Sequence, residues 1–337
     1  MRRDFLLAGV GAVAALAQEK AEEKPPEIVA GATQDPTPRV GIVLSSFKEG
    51  EDHDGTKIAG LQDPQPTNAE LSDAQLEAMV RKAIDIGGLR ATELYEMIAP
   101  DDWVALLAPI RNDARVAGAM LNYLAEHRRG ARFTLIDRLG GAQKSWPLEY
   151  TRLMAQMAAK FKSAKFELTD LSGAPTIELP ADGKPGVSYS IPKLVQECDR
   201  IITIAPMATD AKRGVALSMA NYAALCAKPT DSDEALLDLF NYKPADFALV
   251  CGSKGTEGDG KPVRFNVAVA GMKAVAVDST AALLMGFKPD DLPYLALGEK
   301  RGFGSWDPDE IWTRGNEPED AKHEFQKPAG WRAPSHG

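Results

Sequence analysis

Trp103-Val104-Ala105-Leu106-Leu107-Ala108-Pro109-Ile110 is followed within a few residues by Asn112-Asp113 and an apolar-periodic run carrying Val116, Met120, Leu121 and Leu124. Gly130 then leads into Ala131-Arg132-Phe133-Thr134-Leu135-Ile136-Asp137. The first segment is a continuous apolar run, as expected of a strand buried on both faces, and the last carries Phe133, Leu135 and Ile136. The middle segment repeats its apolar residues at helical spacing, behind a residue that can cap exposed amides. Strand, helix and strand in this order predict a right-handed parallel crossover, the unit of an α/β sheet.

The same alternation extends in both directions. Arg39 through Ser46 reads as a strand, and Ser72 to about Ile86 as a helix with Ser72 as cap and Leu76, Met79, Val80 and Ala83 on its inner face. Gly87-Gly88 reads as the stop of that helix. Downstream, a helix is predicted over 148–163 and a short strand over 165–168, while the Pro- and Gly-containing stretch 172–186 reads as lying outside the main core. A strong strand is predicted over 200–205, a helix from about Gly214 to Ala227, a strand over 247–251, and an added strand or hairpin arm over 265–270. Asp278 reads as the cap of a helix beginning at Ser279. The fold class expected is α/β, a three-layer core with a mainly parallel or mixed sheet and helices on both faces.

The chain ends are different in kind. Arg2-Arg3-Asp4-Phe5-Leu6 precedes a short apolar stretch ending in Ala15-Leu16-Ala17. A basic tip, an apolar segment too short to span a bilayer and a small-residue end are the three parts of a cleavable export signal. The paired arginines resemble a twin-arginine leader, which implies the Tat export machinery as partner and a periplasmic or otherwise extracytoplasmic location. Residues 1–17 are therefore expected as signal, 18–38 as flexible linker, 39–304 as the α/β domain and 305–337 as an extended arm. No later segment is long and apolar enough to predict a membrane span.

With 337 residues, 48 acidic against 39 basic side chains and a net charge of −9, the chain lacks the positive footprint of a general nucleic-acid binder. Cys198, Cys226 and Cys251 are few and widely spaced. They fit neither a disulfide framework nor an iron–sulfur motif and read as buried thiols.

Sites in open α/β proteins gather beyond the carboxyl ends of strands, so the polar loops there hold the candidates. Asp52-His53-Asp54 offers an imidazole between two carboxylates, suited to proton transfer or a hard cation, although a solvated surface turn is the simpler account. Thr209, Asp210, Lys212 and Arg213 follow a strand, where the cations could receive an anion or simply cap and solvate the turn. Gly255 through Lys261 superficially matches a nucleotide phosphate loop. Pro262 occupies the place of the hydroxyl residue, and Glu257 and Asp259 oppose phosphate, so a binding lid carrying Glu257 is the reading kept. Asp137 and Asp278 could point into a site at the sheet edge, and Asn221 could contact a ligand.

Gly271-Met272-Lys273-Ala274-Val275-Ala276-Val277-Asp278-Ser279-Thr280-Ala281-Ala282-Leu283-Leu284-Met285-Gly286, followed by Pro293-Tyr294-Leu295 and Arg301-Gly302-Phe303-Gly304, resembles the DUF362 domain family over roughly residues 38–304. The segments Asp199–Asn221 and Glu257-Gly258-Asp259-Gly260 add matching order and spacing. The resemblance implies an α/β core, with Asp137, Asn221, Glu257 and Asp278 as family polar positions. Family members commonly carry Lys and His where this chain has Ala208-Thr209-Asp210, Lys where it has Ala220, and Asp where it has Cys251. Some carry iron–sulfur segments, and this chain has no such cysteine cluster.

Three functions fit these observations. The leading one is an exported small-molecule binding protein with metal-assisted activity. Thr209, Asp210, Lys212, Asn221 and Asp278 would bind a small polar or anionic ligand, Asp137, Glu257 and Asp278 would hold a divalent metal, and His53 and Glu257 would transfer protons. The alternatives are a divergent hydrolase or isomerase acting on a small polar or anionic substrate, and a non-catalytic structural or interaction protein whose Trp306, Trp312 and Trp331 cover the body.

Overall fold

The computed structural model describes residues 37–52, 55–88, 93–140, 143–227 and 232–334. The expected signal, nearly all of the linker, and His53 and Asp54 lie outside the described residues. Eight strands make the main path of the central sheet: β1 (Arg39–Leu44), β2 (Trp103–Leu107), β3 (Arg132–Asp137), β4 (Lys165–Asp170), β5 (Arg200–Asp210), β6 (Phe247–Glu257), β7 (Val267–Gly271) and β8 (Trp312–Gly315). Their spatial order is β8-β1-β7-β6-β5-β2-β3-β4. Neighbours are parallel except around β7, which runs antiparallel to both β1 and β6.

Alternation along the strands divides the core. Val104 and Leu106 pack on the face covered by α1 (Asp73–Gly87), α2 (Ala114–Glu126) and α3 (Leu148–Lys160). Ala105 and Leu107 face the opposite layer, built from α4 (Asp233–Tyr242), α5 (Ala274–Leu284), α6 (Pro293–Lys300) and a 3-10 helix at Met219–Leu225. Both faces are covered by packed side chains, which explains apolar runs such as 103–107 and 247–251. The result is the three-layer α/β architecture with a mixed sheet.

Helix α1 begins as its sequence predicts. Ser72 accepts the Gln75 N–H at 3.3 Å, and the Gln75 side chain accepts the Ser72 N–H at 2.9 Å, a reciprocal capping box. Its glycine end works differently from the expected turn. Gly88 is extended at φ −90°, and a Cβ on Gly87 would stand 2.3 Å from the Ala270 carbonyl oxygen. Gly87 is there to let α1 ride directly on β7.

Other segments depart from the sequence reading. The predicted helix from Gly214 is instead a reversal. Asp210 Oδ1 accepts the amides of Lys212 and Arg213, Gly214 takes φ +84°, and Gly214–Val215 pairs back onto β5 before the 3-10 helix forms. Residues 255–263 make a hairpin rather than a lid, because Lys261–Val263 pairs antiparallel with the end of β6. The stretch expected outside the main core does lie off the central sheet, where it forms one arm of a separate two-stranded hairpin, Thr176–Pro180 against Ser188–Pro192. The 305–337 arm is woven into the body. It supplies β8 at the sheet edge, and its Ala321, Phe325 and Trp331 are buried. Cys198, Cys226 and Cys251 are buried free thiols. Among the described residues, no helix is long and apolar enough to cross a membrane.

Candidate functional site

From β2 the chain moves outward through β3 and β4, then returns to place β5 on the other side of β2 and β6 beyond it. The carboxyl ends of β2 and β5 therefore diverge, and such a switch point opens a crevice without any special loop. A cavity of about 270 Å3 lies there, walled by Leu107, Pro109, Ile110, Ala220 and Ala224, with Arg111, Asp137 and Asn221 as its polar groups. At about 30 Å3 of liquid volume per water it has room for roughly nine waters, the size of a small metabolite. A second cavity, of about 320 Å3, lies away from the switch point between the hairpin and α4. Its buried carboxylate, Asp238, is already engaged by Arg301 at 2.7 Å and by the Tyr189 hydroxyl at 2.8 Å.

Asp137 is the last residue of β3 and is buried. Its Oδ2 accepts the Ile110 N–H and its Oδ1 the Arg138 N–H, both at 2.8 Å. Burial pushes its pKa above the ordinary carboxylate value, and the two amides and Arg111 only partly oppose that. Arg111 leaves β2 just beyond Pro109. The residue is exposed, yet desolvation by its surroundings lowers its pKa, against the pull of Asp137 and Asp210. It stays a cation, as guanidinium groups do. No protein group among the described residues pairs with it. Arg138 braces the site from behind, donating Nε to the Ala224 carbonyl at 2.8 Å and Nη1 to the Leu171 carbonyl at 3.0 Å.

Asn221 enters from the 3-10 helix and is 5% exposed. Its Nδ2 faces the Thr203 hydroxyl and the Ile204 carbonyl at 3.0 Å each, with the Leu107 carbonyl at 3.4 Å. Its Oδ1 has no donor. The helix that presents it is held by Asp278, a fully buried residue of α5. Asp278 accepts the backbone N–H groups of Ser218 at 2.9 Å and Met219 at 3.0 Å, along with the Ser218 and Tyr294 hydroxyls. Despite four donors, burial raises its pKa to about 6.

The family profile described as "Domain of unknown function (DUF362)" matches residues 109–283, just over half of the chain. The chain belongs to the DUF362 family. Arg111, Asp137, Asn221 and Asp278 all fall within the matched segment. No curated protein matches the sequence. Among solved structures, the lactate racemase apoprotein from Thermoanaerobacterium thermosaccharolyticum is similar at 15% identity and a TM-score of 0.32, over 67% of this chain. The chain spans 58% of that protein's length.

The DUF362 domain gathers only part of the predicted site. Asp137 and Asn221 share the cavity, and Asp210 reaches it through its field on Arg111. Asp278 is neither a helix cap nor a cavity group: α5 begins at Ala274, so Asp278 lies inside it and serves the 3-10 helix from below. Thr209 donates its hydroxyl to the Gly258 carbonyl at 2.9 Å, holding the β6 hairpin. Glu257 accepts the Gln326 N–H at 3.0 Å and pairs with Lys261 at 3.2 Å, and these contacts hold its pKa down. Lys212 is exposed on the reversal after β5. Asp52 pairs with Arg314 of β8 at 2.6 Å, while His53 lies outside the described residues.

The expected metal set does not assemble. Asp137 is in the cavity, Asp278 is enclosed by its donors and Glu257 is spent on the carboxyl-terminal arm. Among the described residues, no group of three His, Cys, Asp or Glu side chains is placed to hold a metal ion. Sequence reasoning missed Arg111. A lone arginine between a parallel strand and a helix cap is a positional signal, though a weaker one than the carboxylate-bearing loops give.

Proposed function

We propose that this DUF362 domain is an enzyme acting on a small anionic substrate at the switch-point cavity. One observation carries the reading: the unpaired Arg111 guanidinium beside a buried Asp137 in the crevice where α/β folds place ligands. Arg111 offers a planar donor fork suited to a carboxylate or phosphate. Asp137, its proton affinity raised by burial, would exchange a proton with the bound molecule, as a general acid–base group requires. The apolar wall limits the substrate to a few carbons.

Incubation in heavy water with a panel of small carboxylates, read by NMR, tests this. Solvent deuterium should enter a bound substrate, and the exchange should vanish in Asp137→Asn while binding persists. Exchange at an unchanged rate in that variant would remove Asp137 from the chemistry. Loss of anion binding in Arg111→Ala would support the anchoring role.

The Arg2-Arg3 leader supports action outside the cytoplasm. Joint Arg2→Lys and Arg3→Lys substitution should leave the protein in the cytoplasmic fraction. Continued export of that variant would exclude the twin-arginine route.

A further inference from the structure

We infer that the substrate carries, besides its anionic group, a hydroxyl or ammonium donor that Asn221 Oδ1 receives. The inference rests on the anion-site reading above and narrows it from small anions in general to hydroxy- or amino-substituted ones.

The orientation of the Asn221 amide is fixed by its neighbours. The Thr203 hydroxyl has one proton, and that proton goes to the Ser218 carbonyl at 2.8 Å. Toward Asn221, 3.0 Å away, Thr203 can therefore only accept. The Ile204 and Leu107 carbonyls can also only accept. A flipped amide would set an oxygen against three acceptors, so Nδ2 must face them.

Oδ1 consequently points away from those three acceptors, and it is buried without a donor from the protein, in a residue that lines the cavity. A buried acceptor left unmatched is costly, so a ligand that supplies a proton there gains more than one that does not. The other polar cavity groups have different uses. Arg111 is a donor facing an anion, and each Asp137 oxygen already accepts one backbone amide, from Ile110 or Arg138, its remaining lone pairs being those that the proposed proton exchange uses. A plain carboxylate would satisfy Arg111 and leave Asn221 unmatched.

Titration calorimetry on the full chain with two matched series tests the inference: acetate, hydroxyacetate and aminoacetate, then butanoate, 3-hydroxybutanoate and 3-aminobutanoate. In at least one series a donor-bearing acid should bind about tenfold tighter than its unsubstituted parent. Which substituent gains identifies hydroxyl or ammonium as the donor. In Asn221→Ser, with folding checked by circular dichroism, the gap should close. If that variant does not fold, the ligand series on the unaltered chain decides alone. Equal affinities within each series, with binding still abolished by Arg111→Ala, would overturn the donor inference and leave the anion site standing. Failure of every acid and of inorganic phosphate to bind would overturn both.

Discussion

Ser218 donates its backbone N–H to Asp278 Oδ1 at 2.9 Å, joining positions 60 residues apart and fixing the start of the 3-10 helix that presents Asn221. The carboxylate sits under the cavity floor and never touches the cavity. Its influence on a ligand passes through the placement of Asn221.

Asp278 therefore gives the protein a particular acid dependence. Its folded-state pKa is raised from 3.8 to about 6, so its contribution to stability is fully present below about pH 4 and is lost as pH rises through about 6. Across that window the loss amounts to about 3 kcal/mol at most. Denaturation midpoints measured from about pH 4 to about pH 7 should fall less steeply in Asp278→Asn than in the unaltered chain. Superimposable slopes would show that this carboxyl does not titrate there.

Arg111→Ala should abolish small-anion binding while changing thermal stability little, because the removed guanidinium has no protein partner among the described residues. Surface-type changes of this kind are usually within about 0.5 kcal/mol. Arg111→Lys keeps the charge but not the fork, and should bind anions more weakly than arginine. Calorimetry and a melting curve on the same samples check both statements.

Glu257→Ala should leave ligand affinity intact and loosen the carboxyl-terminal arm, whose Gln326 amide it accepts. Limited proteolysis near residues 320–334 reads that loosening as faster cleavage. A variant that loses anion binding without faster cleavage would return Glu257 to the site.

Gly87→Ala should destabilise the fold by about 3 kcal/mol, the upper range for overpacking, because the new methyl meets a backbone carbonyl in β7 that cannot turn aside. Urea denaturation measures it.

The fold was largely legible because its signals are periodic. Runs such as 103–107 and 247–251 are apolar on both faces, and the α1 face repeats at Leu76, Met79, Val80 and Ala83. The segment after β5 was not legible. A tertiary carboxylate and a positive-φ glycine override the helical bias of residues 214–227. The same limit applied to the site. Asp137 could be nominated from its place at a strand end and Asn221 from the family resemblance, but Asp278 and Glu257 have local sequences that do not reveal which distant amides they serve.

The antiparallel strand on the main path of the sheet, β7, has a consequence for how the molecule comes into being. β1, near the amino end of the described chain, is flanked by β7 and β8, whose residues lie between 267 and 315. During synthesis it waits without a neighbour until most of the polypeptide has left the ribosome, so the β8-β1-β7 edge can close only late, with a long loop already drawn in. A truncated product ending before β7 would keep the β2-β3-β4 half together and leave an orphaned, sticky first strand, the kind of species that quality-control proteases encounter.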